Sequence, residues 1–154
     1  MNAFDEVEGF RAAIGPNGRL LGLDLGSKTI GLALSDPLRM VATPMQVIRR
    51  SKFAKDAATL KALTEEHRIT GYVLGLPRNM DGSEGPRCQS TRAFARNLNG
   101  AIDLPILFFD ERWSTLAAER AMLEADTSRA KRANRIDQVA AGLILQGALD
   151  RLRT

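Results

Sequence analysis

The sequence predicts an α/β fold in which helices pack on a mixed, five-stranded sheet. Apolar segments with strand character alternate with segments of helical periodicity, in the order β-β-β-α-β-α-β-α-α. Three strands joined by short turns, followed by alternating helices and strands, are typical of a mixed sheet covered by helices. The length of 154 residues is that of one domain with its own core.

The first three strands are predicted at residues 19–24, 30–35 and 40–47. Gly26, Ser27 and Lys28 form the turn that makes a hairpin of the first two strands. Pro44 lies inside the third strand, and because proline has no backbone N–H to donate, it favours an edge position.

The later elements are read from periodicity and from turn residues. They are helix 52–67, strand 71–76, helix 86–99, strand 106–110, a helix from Ser114 to about Ala125, and helix 135–152. The polar, basic stretch 126–134 is predicted to be a loop. Residues 1–18 end in the turn-rich GPNG and are predicted to be a flexible N-terminal extension, whereas residues 19–154 form the domain.

The composition limits the possible functions. The chain carries 22 Lys and Arg against 18 Asp and Glu, a net charge of +4, which weakly favours anionic partners such as nucleic acid. Cys88 is the only cysteine and His67 the only histidine, so neither an intramolecular disulfide nor a histidine-rich zinc site is possible. We find no signal-peptide pattern and no apolar stretch of roughly 20 residues, so we expect a cytoplasmic protein without a membrane partner.

Acidic residues stand where predicted strands end or a helix begins. Asp24 closes the first strand, Asp110 and Glu111 close the last, and Asp137 opens the final helix. Sites in α/β sheets gather at the carboxyl ends of strands, and Mg²⁺ or Mn²⁺ suits a site made of oxygen ligands. Two such ions roughly 3.5–4 Å apart can hold the attacking and the leaving oxygen of a phosphodiester displacement.

Each acid also has a structural interpretation, which the residues alone leave open. Asp24 can accept hydrogen bonds from the N–H groups of its turn, and Asp137 can stabilise the dipole of its helix. Asp110 and Glu111 can simply precede a helix.

Four motifs occur in order and together resemble the YqgF (RuvX) family. They are LGLDLGSKTIGLALSD at 21–36, VLGLPRNMDGSEGPR at 73–87, FDERWST at 109–115 and RIDQVAAGLIL at 135–145. The resemblance covers nearly the whole chain, from about residue 19 to 149. Members are described as Holliday-junction-resolvase-like proteins and as pre-16S rRNA nucleases, which implies an RNase H-like fold with a three-acid metal site.

The resemblance implies that Asp24, Glu111 and Asp137 are the catalytic and metal-binding acids. Asp110 also matches a family acid and is a further metal candidate. It ranks behind Glu111 because adjacent strand residues point to opposite faces. Trp113 stands where the family more often has leucine, and it either stacks on a base or packs against the following helix.

Basic and polar side chains near these acids are predicted to bind nucleic acid. They are Lys28, Arg78, Asn79, Arg112, Arg129, Lys131, Arg132 and Arg135. Such groups contact phosphates and fix position rather than read sequence. The alternatives are a solvated basic loop, ordinary salt bridges and turn chemistry.

The leading functional hypothesis is a metal-dependent endonuclease that matures the 5′ end of precursor 16S rRNA, in contact with ribosomal particles. A Holliday-junction resolvase is the alternative, and it would act as a dimer because its substrate is two-fold symmetric. We find no dimerisation motif, so we favour a monomer and RNA. Two further hypotheses are a nucleic-acid-binding protein that does not cleave, and a nucleotide-binding module, since DLGSKT resembles the phosphate motif of sugar kinases and actin-type ATPases.

Overall fold

The computed structural model describes residues 1–116, 118–119 and 129–154, and for residues 129–138 it describes the backbone alone. The elements alternate along the chain as an α/β protein. They are β1 (Ala3–Phe4), α1 (Val7–Ile14), β2 (Arg19–Leu25), β3 (Thr29–Ser35), β4 (Ala42–Arg49), α2 (Phe53–His67), β5 (Ile69–Leu76), α3 (Pro86–Ala101), β6 (Ile106–Asp110), a 3-10 helix (Glu111–Trp113) and α4 (Arg129–Leu152).

The strands form one mixed sheet in the order β1-β6-β5-β2-β3-β4. The pairs β2–β3 and β3–β4 are antiparallel, whereas β1, β6, β5 and β2 run parallel. The sheet thus has six strands among the described residues, and the prediction of five was wrong by one. The additional strand, β1, has only two residues, which is too short for an alternating pattern to be seen in the sequence.

Two apolar cores lie on the two faces of the sheet. Helices α1 and α4 cover one face, where buried residues such as Phe10, Phe109 and Ile144 cluster. Helices α2 and α3 cover the other, around Leu60, Tyr72 and neighbouring residues. The two-residue period of the strands divides their side chains between these cores, so each residue at a strand end is assigned to one face or the other.

The outer strand β4 lies at the edge of the sheet, as Pro44 predicts. Pro44 pairs with Ala33, and the register of the β3–β4 pair shifts between Leu32 and Ala33. An irregularity of this kind accommodates a residue that cannot donate a backbone hydrogen bond.

Residues 1–18 differ from the expected flexible extension, because they contain β1 and α1. The ring of Phe10 in α1 is completely buried. Arg39, at the β3–β4 connection, reaches the end of α1 and is only 7% exposed. Its guanidinium donates hydrogen bonds to the carbonyls of Ile14, Gly15, Asn17 and Gly18 and to the hydroxyl of Thr70. This segment is therefore attached to the domain.

The last helix is described from Arg129, six residues before its predicted start. The prediction of a loop over residues 129–134 was therefore wrong. Alanine, arginine and lysine, which dominate this stretch, have high helix propensity, and the sequence analysis gave more weight to its charge. The remainder of the predicted loop, 126–128, and most of the helix predicted from Ser114 to Ala125 lie outside the described residues. No helix in the described ranges has the length and hydropathy needed to span a bilayer.

Candidate active site

The carboxyl ends of β2, β5 and β6 form the centre of the predicted site. Strand β5 lies between β2 and β6, and all three are parallel. Gly75 pairs with Phe109 of β6 and follows directly after Leu74, which pairs with Leu23 of β2. Gly75 is therefore level with Asp24 on one side and with the end of β6 on the other.

Glu111 reaches over Gly75 on the face that α4 covers. A Cβ atom built on Gly75 would lie 2.8 Å from Oε2 of Glu111 and 2.5 Å from Cδ1 of Ile144. The absence of a side chain at this position is what leaves room for the carboxylate. Glu111 is 6% exposed, although it belongs to the 3-10 helix that follows the strand.

Asp24 ends on the same face of the sheet. A Cβ built on Gly22 would meet Leu145 and the carbonyl of Ala141, so that face of β2 contacts α4. Asp24 comes two residues later in the strand, and the two-residue period places it on the face of Gly22. Its exposure is 5%. The structure thus brings the first two predicted acids to one face of the sheet, at the ends of β2 and β6, which flank β5.

The third predicted acid, Asp137, lies in α4 one helical turn before Ala141. Its side chain is outside the described residues, so its part in the site stays a prediction. Within the ranges whose side chains are described, no three His, Cys, Asp or Glu residues form a metal-type cluster.

Asp110 belongs to the opposite face, where it pairs with arginines. Its carboxylate accepts hydrogen bonds from Nη2 of Arg112 at 2.7 Å and from the backbone N–H of the same residue at 2.9 Å. Nη1 of Arg78 lies 3.5 Å from Oδ2. Burial acts to raise the pKa of Asp110, but the hydrogen bonds and positive charges of the arginines outweigh it, so the pKa lies below its ordinary value. Asp110 is an ionised structural acid in this arrangement.

The ion pairs continue from Asp110 toward the N-terminal segment. Arg78 also lies 3.3 Å from Glu84 and 3.7 Å from Asp5, and Arg92 contacts the same two acids at 2.7 and 2.9 Å. Glu84 has a lowered pKa, mainly because Arg92 donates hydrogen bonds to it. Two acids and two arginines therefore connect residues 1–18, the loop after β5 and helix α3.

The predicted nucleic-acid-binding residues fall into three groups. Lys28 is exposed at the tip of the β2–β3 turn. Arg78 and Arg112 are held by acids, and Asn79 exchanges hydrogen bonds with Ser83 and Gly82 inside its loop. The others lie in the first two turns of α4, where only the backbone is described, and they are Arg129, Lys131, Arg132 and Arg135. Their binding of nucleic acid stays a prediction.

Trp113 packs inside the domain. Its ring contacts Phe109 edge to face, with centroids 5.3 Å apart, and the guanidinium of Arg151 lies 4.4 Å from its centroid. These contacts favour the packing interpretation over base stacking.

Gly75 is the residue of the site to which the sequence analysis gave no role. A glycine inside an apolar strand marks a place where another group approaches closely, and that rule would have identified it. The buried Nε of Arg78, which has no hydrogen-bond partner in the described part of the chain, could not have been anticipated from sequence.

The fold and this arrangement of strand-end acids define an RNase H-like α/β protein. Two solved structures support that fold class: RuvC of T. thermophilus in complex with a Holliday junction substrate, and the yeast mitochondrial Holliday junction resolvase Ydc2. Each has a TM-score of 0.52. The first is 13% identical and covers 88% of this chain and 96% of its own; the second is 14% identical and covers 95% and 86%.

The chain belongs to the RuvX family, whose model carries the description "Holliday junction resolvase" and matches residues 18–151. A relative from Cereibacter sphaeroides (strain KD131) is 65% identical over 148 residues, 96% of this chain and 92% of its own. A relative from Ruegeria pomeroyi is 64% identical and covers 97% of each chain. Both carry the name "Putative pre-16S rRNA nuclease". The family resemblance seen in the sequence is confirmed.

Proposed function

We propose that this protein is a metal-dependent endonuclease that hydrolyses phosphodiester bonds at the 5′ end of precursor 16S rRNA in the cytoplasm. One observation carries the proposal. Asp24 and Glu111, both nearly buried, lie on one face of strand ends that flank Gly75. In the proposed site Asp137 completes the set of acids.

The donor set fits a divalent cation with a preference for oxygen ligands. Two strand spacings, about 10 Å, separate the backbones of β2 and β6, and the carboxylate of Glu111 reaches over Gly75 in the strand between them. A divalent cation between two carboxylates lowers their mutual repulsion. Mg²⁺ and Mn²⁺ are the natural occupants.

In the proposed site, Asp24 and Glu111 bind and position, and neither acts as the nucleophile. Asp24 and Glu111 would hold the cation, which, when bound, supplies Lewis acidity and offsets charge on the phosphate. Because Gly75 has no side chain, there is room for Glu111. Lys28 is exposed on the turn that follows Asp24, and in the proposed site it would offset charge on the phosphate.

The names of the close relatives favour precursor 16S rRNA as the substrate. A Holliday junction is the second candidate, because the family model carries that description. A resolvase would require two copies of the site related by two-fold symmetry, whereas trimming of RNA requires one. We therefore favour a monomer that acts on RNA, with the ribosomal particle as a possible carrier of the substrate.

The test is cleavage of a labelled precursor 16S rRNA fragment with its 5′ extension, beside a four-way DNA junction, in Mg²⁺ or Mn²⁺. Asp24→Asn is compared with Asp103→Asn, which makes the same change at an exposed residue near the opposite end of β6. We expect metal-dependent trimming of the RNA that Asp24→Asn loses and Asp103→Asn keeps.

Cleavage of the junction alone would retain the chemistry and replace the substrate. If Asp24→Asn cut the RNA as fast as Asp103→Asn, the proposed site would be refuted. If neither substrate were cut by the wild-type protein, alone or when the RNA is supplied as a ribosomal particle, a binding protein without nuclease activity would replace the proposal.

A further inference from the structure

A polar cleft opens beside the β2–β3 turn, on the face of the sheet opposite to Glu111. Its volume is about 390 Å³. It is lined by Leu25, Gly26, Ser27, Arg50, Arg87, Ser90 and Thr91. The lining contains two arginines and three hydroxyl groups but no acidic residue, so its charge favours an anion.

Arg50 forms one wall of this cleft and is fixed there by the turn. Its backbone N–H donates to the carbonyl of Lys28 at 2.8 Å, and Nη1 donates to the carbonyl of Gly26 at 2.7 Å. The guanidinium also lies 5.5 Å from the ring centroid of Phe94. A guanidinium has five N–H donors, and one carbonyl leaves most of them available for a ligand.

Arg87 forms the opposite wall, as the second residue of α3. It is exposed, and its guanidinium makes no hydrogen bond or ion pair with the described part of the chain, whereas its backbone carbonyl accepts a hydrogen bond from the hydroxyl of Thr91 at 3.0 Å. The nearby acid Glu84 is engaged by Arg92 and Arg78 instead. The positive charge of Arg87 is therefore not offset by a neighbouring carboxylate, and the N-terminal end of α3, which has no side-chain cap, adds to it.

The cleft lies close to the proposed catalytic acids. Gly26 is two residues after Asp24, so their Cα atoms are within about 7 Å of each other. A nucleic-acid strand crossing the carboxyl end of the sheet at Asp24 would pass over this turn and reach the cleft.

We propose that this cleft binds a backbone phosphate of the substrate strand, next to the phosphate at which hydrolysis takes place. The location rests on the proposed function, but the chemistry of the cleft does not. Arg50 and Arg87 bind the phosphate oxygens from two sides, and the hydroxyls of Ser27 and Ser90 add hydrogen bonds. Contacts of this type fix the register of the strand without reading its sequence.

The test measures the salt dependence of binding without cleavage. The dissociation constants of labelled single-stranded RNA and of DNA with the same sequence are determined by fluorescence anisotropy in EDTA, over a range of KCl concentrations. Arg87→Gln is compared with Arg96→Gln, which removes the same charge from an exposed position of α3 outside the cleft. Circular dichroism verifies that both variants are folded.

We expect Arg87→Gln to reduce the slope of log K against log salt by about 0.7, the value for one phosphate contact of a single strand. That corresponds to a roughly five- to tenfold loss of affinity at 50 mM salt, for RNA and DNA alike. Arg96→Gln is expected to leave slope and affinity at the wild-type values.

Equal slopes for Arg87→Gln and Arg96→Gln would overturn the inference, as would a wild-type protein that binds neither strand. A loss confined to RNA would overturn it too, because a phosphate contact is common to both strands. The proposed function fails separately. If Arg87→Gln reduces the salt slope but the wild-type protein cleaves neither substrate, the cleft is supported and the nuclease is refuted. If the protein shows metal-dependent cleavage but the slope is unchanged in Arg87→Gln, the nuclease is supported and the cleft is refuted.

Discussion

Asp110 and Glu111 are neighbours in the sequence and lie on opposite faces of the same sheet. Asp110 faces the side of α3 and is bound by Arg112 and Arg78. Glu111 extends over Gly75 toward α4, on the face that Asp24 shares. Burial alone does not distinguish the two carboxylates, since they are 2% and 6% exposed. The surroundings of the two carboxylates differ. Two arginines contact Asp110, whereas Glu111 lies over a glycine, Gly75, which has no side chain to fill the space.

The largest expected effect is the loss of cleavage in Glu111→Gln. A metal ligand contributes several kcal/mol to the transition state, and each 1.36 kcal/mol changes the rate tenfold, so we expect a fall of at least about 100-fold. Initial rates of RNA cleavage at saturating Mn²⁺ measure it. The melting temperature should stay near that of the wild-type protein. A variant that retains full activity would show that Glu111 is structural, like its neighbour.

The variants Gly75→Ala and Gly22→Ala distinguish two roles of a missing side chain. At Gly75 it leaves space for the carboxylate of Glu111, and at Gly22 it leaves space for helix α4. A Cβ at Gly75 meets the far ends of Glu111 and Ile144, which can move, whereas a Cβ at Gly22 meets the carbonyl of Ala141 at 3.1 Å. We expect Gly75→Ala to slow cleavage about ten- to 100-fold, because small displacements of a catalytic group are costly.

Gly22→Ala is the control for this comparison. It should lower the free energy of unfolding by about 1–3 kcal/mol, because it forces α4 away from β2. Urea denaturation and the cleavage rate per folded molecule are measured for both variants. If Gly75→Ala lost stability and kept its cleavage rate, Gly75 would serve helix packing instead of the site.

Asp110→Asn tests the other side of the comparison. Replacing a buried acceptor of charged hydrogen bonds should lower the free energy of unfolding by about 2 kcal/mol at neutral pH. The pKa of Asp110 in the folded protein lies below its ordinary value of 3.8, so its stabilising effect is present above that value and is lost as the pH falls through the lower, folded pKa.

The difference in stability between wild type and Asp110→Asn should therefore be constant above about pH 5 and should shrink below about pH 4. Urea denaturation at several pH values measures it. The matched Asp103→Asn, at an exposed site, should show no such difference. A stability gap that widened in acid would contradict the ion-pair interpretation.

The smallest expected effect belongs to Trp113→Leu. Leucine keeps apolar packing but loses the edge-to-face contact with Phe109 and the contact with Arg151, a loss of about 1 kcal/mol in the free energy of unfolding. RNA affinity should stay unchanged, as measured by anisotropy. Weaker binding by a variant of unchanged stability would restore the base-stacking interpretation.

Much of the fold could be predicted because its central elements have clear periods. Strand β6 occupies residues 106–110, as predicted, and α2 begins one residue later than predicted. Strand β1 could not be found, because two residues contain no period, and its pairing with β6 depends on contacts distant in sequence. The predicted start of α4 was too late, because the prediction gave more weight to the charges of the stretch after Arg129 than to its helix propensity.

Chain order and the two-residue period of the strands predicted part of the candidate site. Strand-end positions indicated Asp24 and Glu111, and alternation correctly separated Glu111 from Asp110. Arg112 stands two residues after Asp110, so an ordinary salt bridge was among its predicted alternatives, whereas Arg78 comes from the loop after β5 and its pairing with Asp110 could not be predicted from sequence. The same holds for Arg39, whose partners are mostly backbone carbonyls, which no residue type reveals.

The pairing of β1 with β6 has a consequence for synthesis on the ribosome. Ala3 leaves the exit tunnel before its partner Ile106, which is made more than a hundred residues later. The start of the chain therefore cannot take its place at the sheet edge until most of the chain has been translated. A bulky group fused directly before β1 would therefore be carried beside β6 when the strand takes its place.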